Sequence, residues 1–302
     1  MAKILDDPKI RSLWETVKST IWRGQDYFLN AQYPKGYWWD ELESNPTMEA
    51  EYVMLTHFLD AVDPEREQML VNDIRRRQRK DGTWGIYYGA PGDLSTSIEC
   101  YFALKLAGIS TSEPSMKMAR EFILAKGSVP KARVFTKIWL SLFGQWDWKG
   151  TPVMPPELIL LPLWAPLNIY SFSSWARATV VPLLIILTQH PTKIIPESIQ
   201  IDELYPVPID QVDYTLKRRG SLLSWEGLFW ILDKALRLYE RSPFKPLRKH
   251  SIRKVEQWII QHQEADGSWG GIQPPWVYSL MALKTLGHSN DDPVIARGLQ
   301  AF

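Results

Sequence analysis

Gln78-Arg79-Lys80-Asp81-Gly82-Thr83-Trp84 occurs twice more in this chain at the same spacing. The other copies are Gln32-Tyr33-Pro34-Lys35-Gly36-Tyr37-Trp38 and Gln263-Glu264-Ala265-Asp266-Gly267-Ser268-Trp269. The shared unit is Gln, three residues, Gly, one residue, Trp. A unit repeated at fixed spacing sets the architecture before any single residue is interpreted. Each Gln closes a helix-like stretch, at 21–32, 68–78 and 251–263. The Gly follows where a helix stops and the chain needs positive φ. The Trp stands on the connecting turn. There its indole can lie flat on the Gln amide, while that amide bonds backbone groups at a neighbouring helix end. A second apolar helix follows each turn, over 48–59, 97–107 and 276–286. The first two copies are 46 residues apart and the third lies 185 further on, close to four periods, so degraded copies are expected between them. Residues 120–125 followed by 133–143 form one such copy.

These hairpins predict an all-α fold, an α/α barrel (toroid) of helix pairs joined by Gln-x3-Gly-x-Trp turns. No stretch shows the sustained alternation of a strand. Residues 150–166 are rich in proline and read as a loop over the helical scaffold. A second irregular excursion is expected over 190–219. Residues 1–20 precede the first repeat and have no partner in the pattern.

Composition narrows the function. A net charge of +1 gives no nucleic-acid footprint. Cys100 is the single cysteine, which excludes a disulfide framework and argues against a thiolate zinc cluster. No metal and no cofactor is expected: there is no phosphate-binding Gly-rich loop and no His-Glu-x-x-His pair. The first thirty residues carry Asp6, Asp7 and Glu15 and do not read as a signal peptide. No uncharged apolar run reaches the ~20 residues of a spanning helix.

The turns and the segments after them resemble the squalene–hopene cyclases, a family of prokaryotic triterpene cyclases. The resemblance rests on the three turns and on Gly36-Tyr37-Trp38-Trp39, Thr47-Met48-Glu49-Ala50-Glu51-Tyr52 and Pro166-Leu167-Asn168-Ile169-Tyr170. It rests further on Ser174-Trp175-Ala176-Arg177-Ala178-Thr179-Val180 and on Gly270-Gly271-Ile272-Gln273-Pro274-Pro275-Trp276. Members of that family have two α/α barrels. The resemblance implies that this chain is the N-terminal, non-catalytic half. Residues 1–20 would then pack on the missing second barrel, and 21–302 would form the barrel. The family's proton donor belongs to an Asp-x-Asp-Asp motif in the other barrel. That motif is absent here, since Asn290-Asp291-Asp292-Pro293 does not match it. No catalytic residue is therefore expected in this chain, and the chain alone is expected to be inactive.

The resemblance places Trp175, Phe172, Val180, Ile272, Gln273 and Pro274 on the wall of a substrate cavity. It places Glu51, Glu99, Arg133 and Gln273 in a network that holds polarised water. The residues themselves show that Glu51 and Glu99 both head apolar helical faces. A buried carboxylate must be paired or protonated, and Arg133 and Gln273 are the candidate partners. A structural ion pair between helices fits the same pattern.

Residues 222–239 place Leu222, Trp225, Leu228, Phe229, Leu232, Leu236 and Tyr239 on one face of a helix, with Lys217, Arg218 and Arg219 before it. This suits an interfacial helix with Trp225 and Phe229 as membrane contacts, and it also suits an ordinary amphipathic helix. The expected partners are a linear isoprenoid such as squalene, the membrane surface and a second cyclase barrel in cis or in trans. The expected location is the cytoplasmic side of the membrane, peripheral and without a transmembrane helix. The alternative function is a non-catalytic barrel that binds an isoprenoid or a protein.

Overall fold

The computed structural model describes residues 7–39, 43–215, 221 and 224–302. Asp6, Lys217, Arg218, Arg219 and Leu222, named above, lie outside the described residues. Among the described residues the regular structure is helical, without strands. The chain divides into two units, Met1–Ser44 and Asn45–Phe302.

The first unit contains α1 (Pro8–Ala31). Pro8 opens the helix where an N–H would have no partner, and Asp7 caps it by accepting from the Lys9 amide at 2.8 Å. Gln32 is the C-cap and begins the first repeat turn.

The second unit holds α2 (Thr47–Leu59), α3 (Pro64–Arg76), α4 (Leu94–Leu106), α5 (Pro114–Ala125) and α6 (Val134–Ser141). After them come α7 (Ser174–Gln189), α8 (Trp225–Arg241), α9 (Arg248–Gln261), α10 (Gln273–Thr285) and α11 (Pro293–Ala301). Two kinds of helix alternate here. Helices α2, α4 and α10 are buried on nearly every side, while α3, α5, α9 and α11 bury a narrow stripe. A helix apolar all round must sit inside, and one with a polar face belongs outside. The packing follows that rule. The inner helices are neighbours in the order α6, α4, α2, α10, α7, and α3, α5 and α11 each lie against an inner helix. This is the paired-helix arrangement of an α/α barrel. Helix α5 with α6 is the degraded copy expected at 120–143.

The three turns share one set of bonds. In each, Gly has positive φ (86° at Gly36, 77° at Gly82, 97° at Gly267). The Gln amide reaches across the turn to the carbonyl of that Gly, at 3.0, 2.8 and 3.0 Å. What fixes each indole is its own N–H, which donates to the carbonyl ten residues earlier: Phe28 at 2.5 Å, Ile74 at 2.7 Å and Ile259 at 2.8 Å. In the second and third turns the same Gln amide also reaches the first turn of the next outer helix. Gln78 bonds the Ser115 carbonyl at 3.1 Å and Gln263 the Val294 carbonyl at 2.8 Å. Trp84 and Trp269 are fully buried.

The irregular segments are tied down by side chains that satisfy their backbone, as any packed loop requires. Residues 190–215 contain the 3-10 turns Glu197–Ile199, Asp202–Leu204 and Ile209–Gln211. Buried Lys105 on α4 bonds the Gln200 carbonyl and Glu203. Buried Gln145 accepts from the Ile201 amide at 2.8 Å, and Tyr205 donates to the Gln145 carbonyl.

Gly267 and Gly287 both have positive φ, but only at Gly267 would a Cβ meet backbone, the Arg297 carbonyl oxygen at 2.6 Å. Gly287→Ala should cost about 1 kcal/mol for the strained backbone alone. Gly267→Ala should cost at least about twice that, because α11 must also move. Equal falls in the thermal midpoint of the two variants would contradict the close turn–α11 packing.

Candidate functional site

The expected carboxylate network assembles from four helix heads. Glu51 lies in the second turn of α2 and Glu99 in the second turn of α4; they are 8% and 0% exposed. Arg133 is the N-cap of α6, and its backbone N–H donates to Ser95 Oγ at 3.0 Å, which holds α6 against the head of α4. Its guanidinium Nη2 donates to both Glu99 oxygens at 3.1 and 3.3 Å. Thr136, in the first turn of α6, also donates to Glu99. Gln273 opens α10, and its amide donates to Glu51 Oε2 at 3.1 Å and to the Met48 carbonyl at 3.1 Å. Glu51, Glu99, Arg133 and Gln273 thus meet at one end of α2, α4, α6 and α10.

The two carboxylates are not equivalent. Burial pushes Glu51 up to about 8, the nearby Glu99 charge adds to this, and Arg133, Gln273 and the indole of Trp139 oppose it only in part. The Trp139 N–H lies outside hydrogen-bond geometry with any partner, yet close enough to Glu51 to favour its carboxylate. Burial also raises Glu99, against the pull of Arg133 and Thr136. Glu99 has the cation and the hydroxyl, so it holds the charge, and Glu51 holds the proton at neutral pH. Burial works against the Arg133 cation, but Glu99 outweighs it and keeps the guanidinium charged. Tyr278, fully buried, is held as the phenol by burial and then by the two acids. A proton held this weakly acidic cannot attack an alkene. The cluster is suited to orienting a polar molecule and to accepting or passing a proton.

Thr136, Trp139 and Tyr278 were not anticipated. The available signal was helical spacing: Thr136 and Trp139 follow Arg133 at steps of three on α6.

The second expected group sits at the heads of α7 and α10. Asn168, buried, organises the chain before α7. Its Nδ2 donates to the carbonyls of Leu163 and Ala165 at 3.1 and 2.8 Å and to Ser171 Oγ at 2.7 Å, and its Oδ1 accepts from the Tyr170 amide at 3.0 Å. Arg177 stacks over Tyr170 at 5.1 Å and donates to the Phe172 carbonyl at 3.4 Å. Phe172 and Trp175 are exposed at the start of α7, Trp175 at 61%, with Val180 half-buried one turn later. Ile272 is the exposed N-cap of α10, and Pro274 is half-buried beside it.

Helix α8 exposes apolar and charged residues together: Glu226, Lys234 and Arg241 are exposed as well as much of its apolar side. Two of its charged residues engage the protein: Asp233 pairs with Arg237 at 2.6 Å and accepts from the Val153 amide at 3.2 Å. Arg237 also donates to the carbonyls of Lys149 and Thr151 at 3.0 and 2.7 Å, and Tyr239 donates to Glu157 at 2.9 Å. Trp225, Leu228, Phe229, Ile231 and Leu238 are exposed. Trp230, Leu236 and Tyr239 are half-buried, so the apolar residues of α8 lie partly inward and partly outward. No helix among the described residues is long and apolar enough to cross a membrane.

The proton on Glu51 has a measurable consequence. An acid raised from 4.5 to about 8 in the folded chain costs stability progressively as pH climbs through that window, because the unfolded chain ionises first. Glu51→Gln keeps an acceptor for Gln273 and removes the titration. Relative to that variant, the wild-type chain should lose up to about 1.4 kcal/mol per pH unit between ~pH 5 and ~pH 8. Urea unfolding at stepped pH measures it, and parallel profiles would exclude a proton on Glu51.

Comparison with known proteins connects these features. The squalene-hopene cyclase N-terminal domain family matches residues 21–302. The squalene–hopene cyclase of Alicyclobacillus acidocaldarius is 45% identical over 267 residues, covering 88% of this chain and 42% of that protein. Dammaradiene synthase of Dryopteris crassirhizoma is 39% identical over 288 residues, covering 95% and 42%. The squalene–hopene cyclase of Bradyrhizobium diazoefficiens is 36% identical over 289 residues, covering 94% and 44%. The chain therefore spans less than half the length of these relatives. With the family's domain running from the helix before the first repeat turn to Phe302, this chain belongs to the squalene–hopene cyclase family and represents its N-terminal domain.

Proposed function

We propose that this chain supplies one wall of the reaction chamber of a triterpene cyclase acting on squalene or a similar linear isoprenoid. The observation that carries the reading is the Glu51–Glu99–Arg133–Gln273 cluster, two buried carboxylates bonded by the exposed Arg133 and the half-buried Gln273 at the helix heads. Polyene cyclisation needs a strong acid, a dry pocket that folds the chain, and π faces that tolerate passing cations. Trp175 and Phe172 offer exposed π faces at the head of α7, and Val180, Ile272, Gln273 and Pro274 extend the wall. The network beside them holds a water that meets the cation at the end of the cascade, with Glu99 as the fixed charge and Glu51 as the proton carrier. The initiating acid comes from a second barrel, in cis or in trans.

The exposed apolar side of α8, with Trp225 and Phe229, is the surface by which the protein rests on a bilayer. Its amphipathic sequence, with Asp233, Arg237 and Tyr239 engaged by residues 149–157, supports a peripheral contact in the headgroup region.

Incubated with squalene, the 302-residue chain should give no cyclic product, and adding a separately produced barrel with an Asp-x-Asp-Asp acid should restore turnover. In that mixture Trp175→Ala should lower turnover by about tenfold or more. Cyclisation by the chain alone, or full activity of the Trp175 variant, would overturn the reading. For the membrane surface, the Trp225→Ser/Phe229→Ser double variant should lower co-sedimentation with phospholipid vesicles by about tenfold. Unchanged sedimentation of a folded variant would remove that assignment.

A further inference from the structure

His288 stands in the linker between α10 and α11, and both of its ring nitrogens face carboxylates. Nε2 lies 2.8 Å from Glu256 Oε1 on α9, and Nδ1 lies 2.6 Å from Asp292 Oδ2 at the head of α11. A neutral imidazole has one N–H and one lone pair, so it can donate to only one of these oxygens. Only the imidazolium satisfies both. Its backbone is fixed, since the His288 N–H donates to the Leu283 carbonyl at 3.1 Å.

The Asp292 carboxylate does a second job. Its other oxygen accepts from the Val294 amide at 3.3 Å and caps α11. Helix α11 in turn completes the third repeat turn: the Val294 carbonyl takes the Gln263 amide, and Arg297 donates to Gln263 Oε1 at 2.7 Å. One proton on His288 thus connects α9, the cap of α11 and the Gln263 clamp. The charged groups that face His288 are Glu256 from α9 and Asp292 from the head of α11. Lys284, in the last turn of α10, donates to Asn290 at 2.9 Å. Asp291 is the remaining charge in the linker.

We propose that His288 is a proton-gated latch that ties the head of α11 to α9 and tightens the Gln263–Gly267–Trp269 turn in its charged form. Burial disfavours the charge, but Asp292 and Glu256 outweigh it and raise His288 above the ordinary 6.5, while His288 lowers Asp292. The sign follows. The added stability is fully present below ~pH 6.5 and is lost as pH rises through the folded-state value. Basic conditions therefore loosen α11 first, ahead of the inner helices.

The test uses the 302-residue chain with 13C-labelled histidine, followed by NMR from pH 5.5 to 9. Amide exchange of residues 293–301, corrected for the intrinsic pH dependence, is measured in parallel. The expected midpoint for His288 lies above 6.5. Protection of 293–301 should fall by about fivefold across it, the size of a lost N-cap. His288→Gln should show low, pH-independent protection. Glu256→Gln keeps the cap and removes one partner, so its midpoint should move down while the transition persists; it decides the question if the first variant does not fold. A wild-type midpoint at or below 6.5, protection unchanged across the titration, or a His288→Gln variant that keeps the transition would overturn the latch.

Discussion

Each repeat turn closes on itself through a glutamine amide that bonds the carbonyl of a left-handed glycine, and the remainder of the fold hangs from that closure. The turn alone would be a loose corner. The indole N–H adds a second bond, back to the carbonyl of the helix just completed, so the tryptophan is locked in orientation, and Trp84 and Trp269 are buried as well, whereas Trp38 is exposed. At Gln78 and Gln263 the second amide hydrogen reaches the head of the next outer helix. One side chain therefore sets the angle between an outer helix, the inner helix after it and the outer helix beyond. Neighbouring pairs inherit a common direction, which brings the heads of α2, α4, α6 and α10 to one end.

The site exploits that alignment. Four helix heads at one end place Glu51, Glu99, Arg133 and Gln273 within hydrogen-bond reach although they are distant in sequence. Two carboxylates with a single guanidinium leave one negative charge uncompensated if both ionise. Burial makes that state too costly, and the pair retains a proton. The asymmetry comes from the side chains supplied by α6: Arg133 and Thr136 both serve Glu99, and Glu51 is left with the weaker Gln273 amide. Helix α8 shows the opposite use of polarity. There Asp233 and Arg237 are consumed internally by a loop amide and loop carbonyls, and Trp225, Leu228, Phe229 and Leu238 are turned outward.

Much of this was legible in the residues. The spacing of Gln, Gly and Trp gave the hairpins, and the expected helices 48–59, 97–107 and 276–286 match α2, α4 and α10 to within three residues at either end. Glu51 and Glu99 could be identified because a carboxylate three and four residues from apolar neighbours is forced inward. Arg133 and Gln273 could be named as candidate partners, but which one serves which acid is seen only in the packing. Thr136, Trp139 and Tyr278 stayed hidden because a hydroxyl, an indole and a phenol inside apolar helices look like ordinary core filling until the packing is known. The ion-paired inner side of α8 was likewise invisible, since the carbonyls of Lys149 and Thr151 that receive Arg237 carry no sequence signal. The double role of Asp292 was missed for a similar reason: an aspartate before a proline reads only as a cap.

The central claim is that the glutamine amides hold the helix pairs together. The direct measurement is the unfolding free energy of Gln78→Leu and Gln263→Leu, set against Gln68→Leu, whose amide bonds only exposed Asn72 on the surface of α3. Two part-buried hydrogen bonds are lost in each of the first two variants, and Gln263→Leu also loses the exposed bond from Arg297, so each should lose about 2–3 kcal/mol while Gln68→Leu stays within about 0.5 kcal/mol of wild type. Equal, small losses in all three would show that the corners are held by burial of Trp84 and Trp269 alone and would contradict the account.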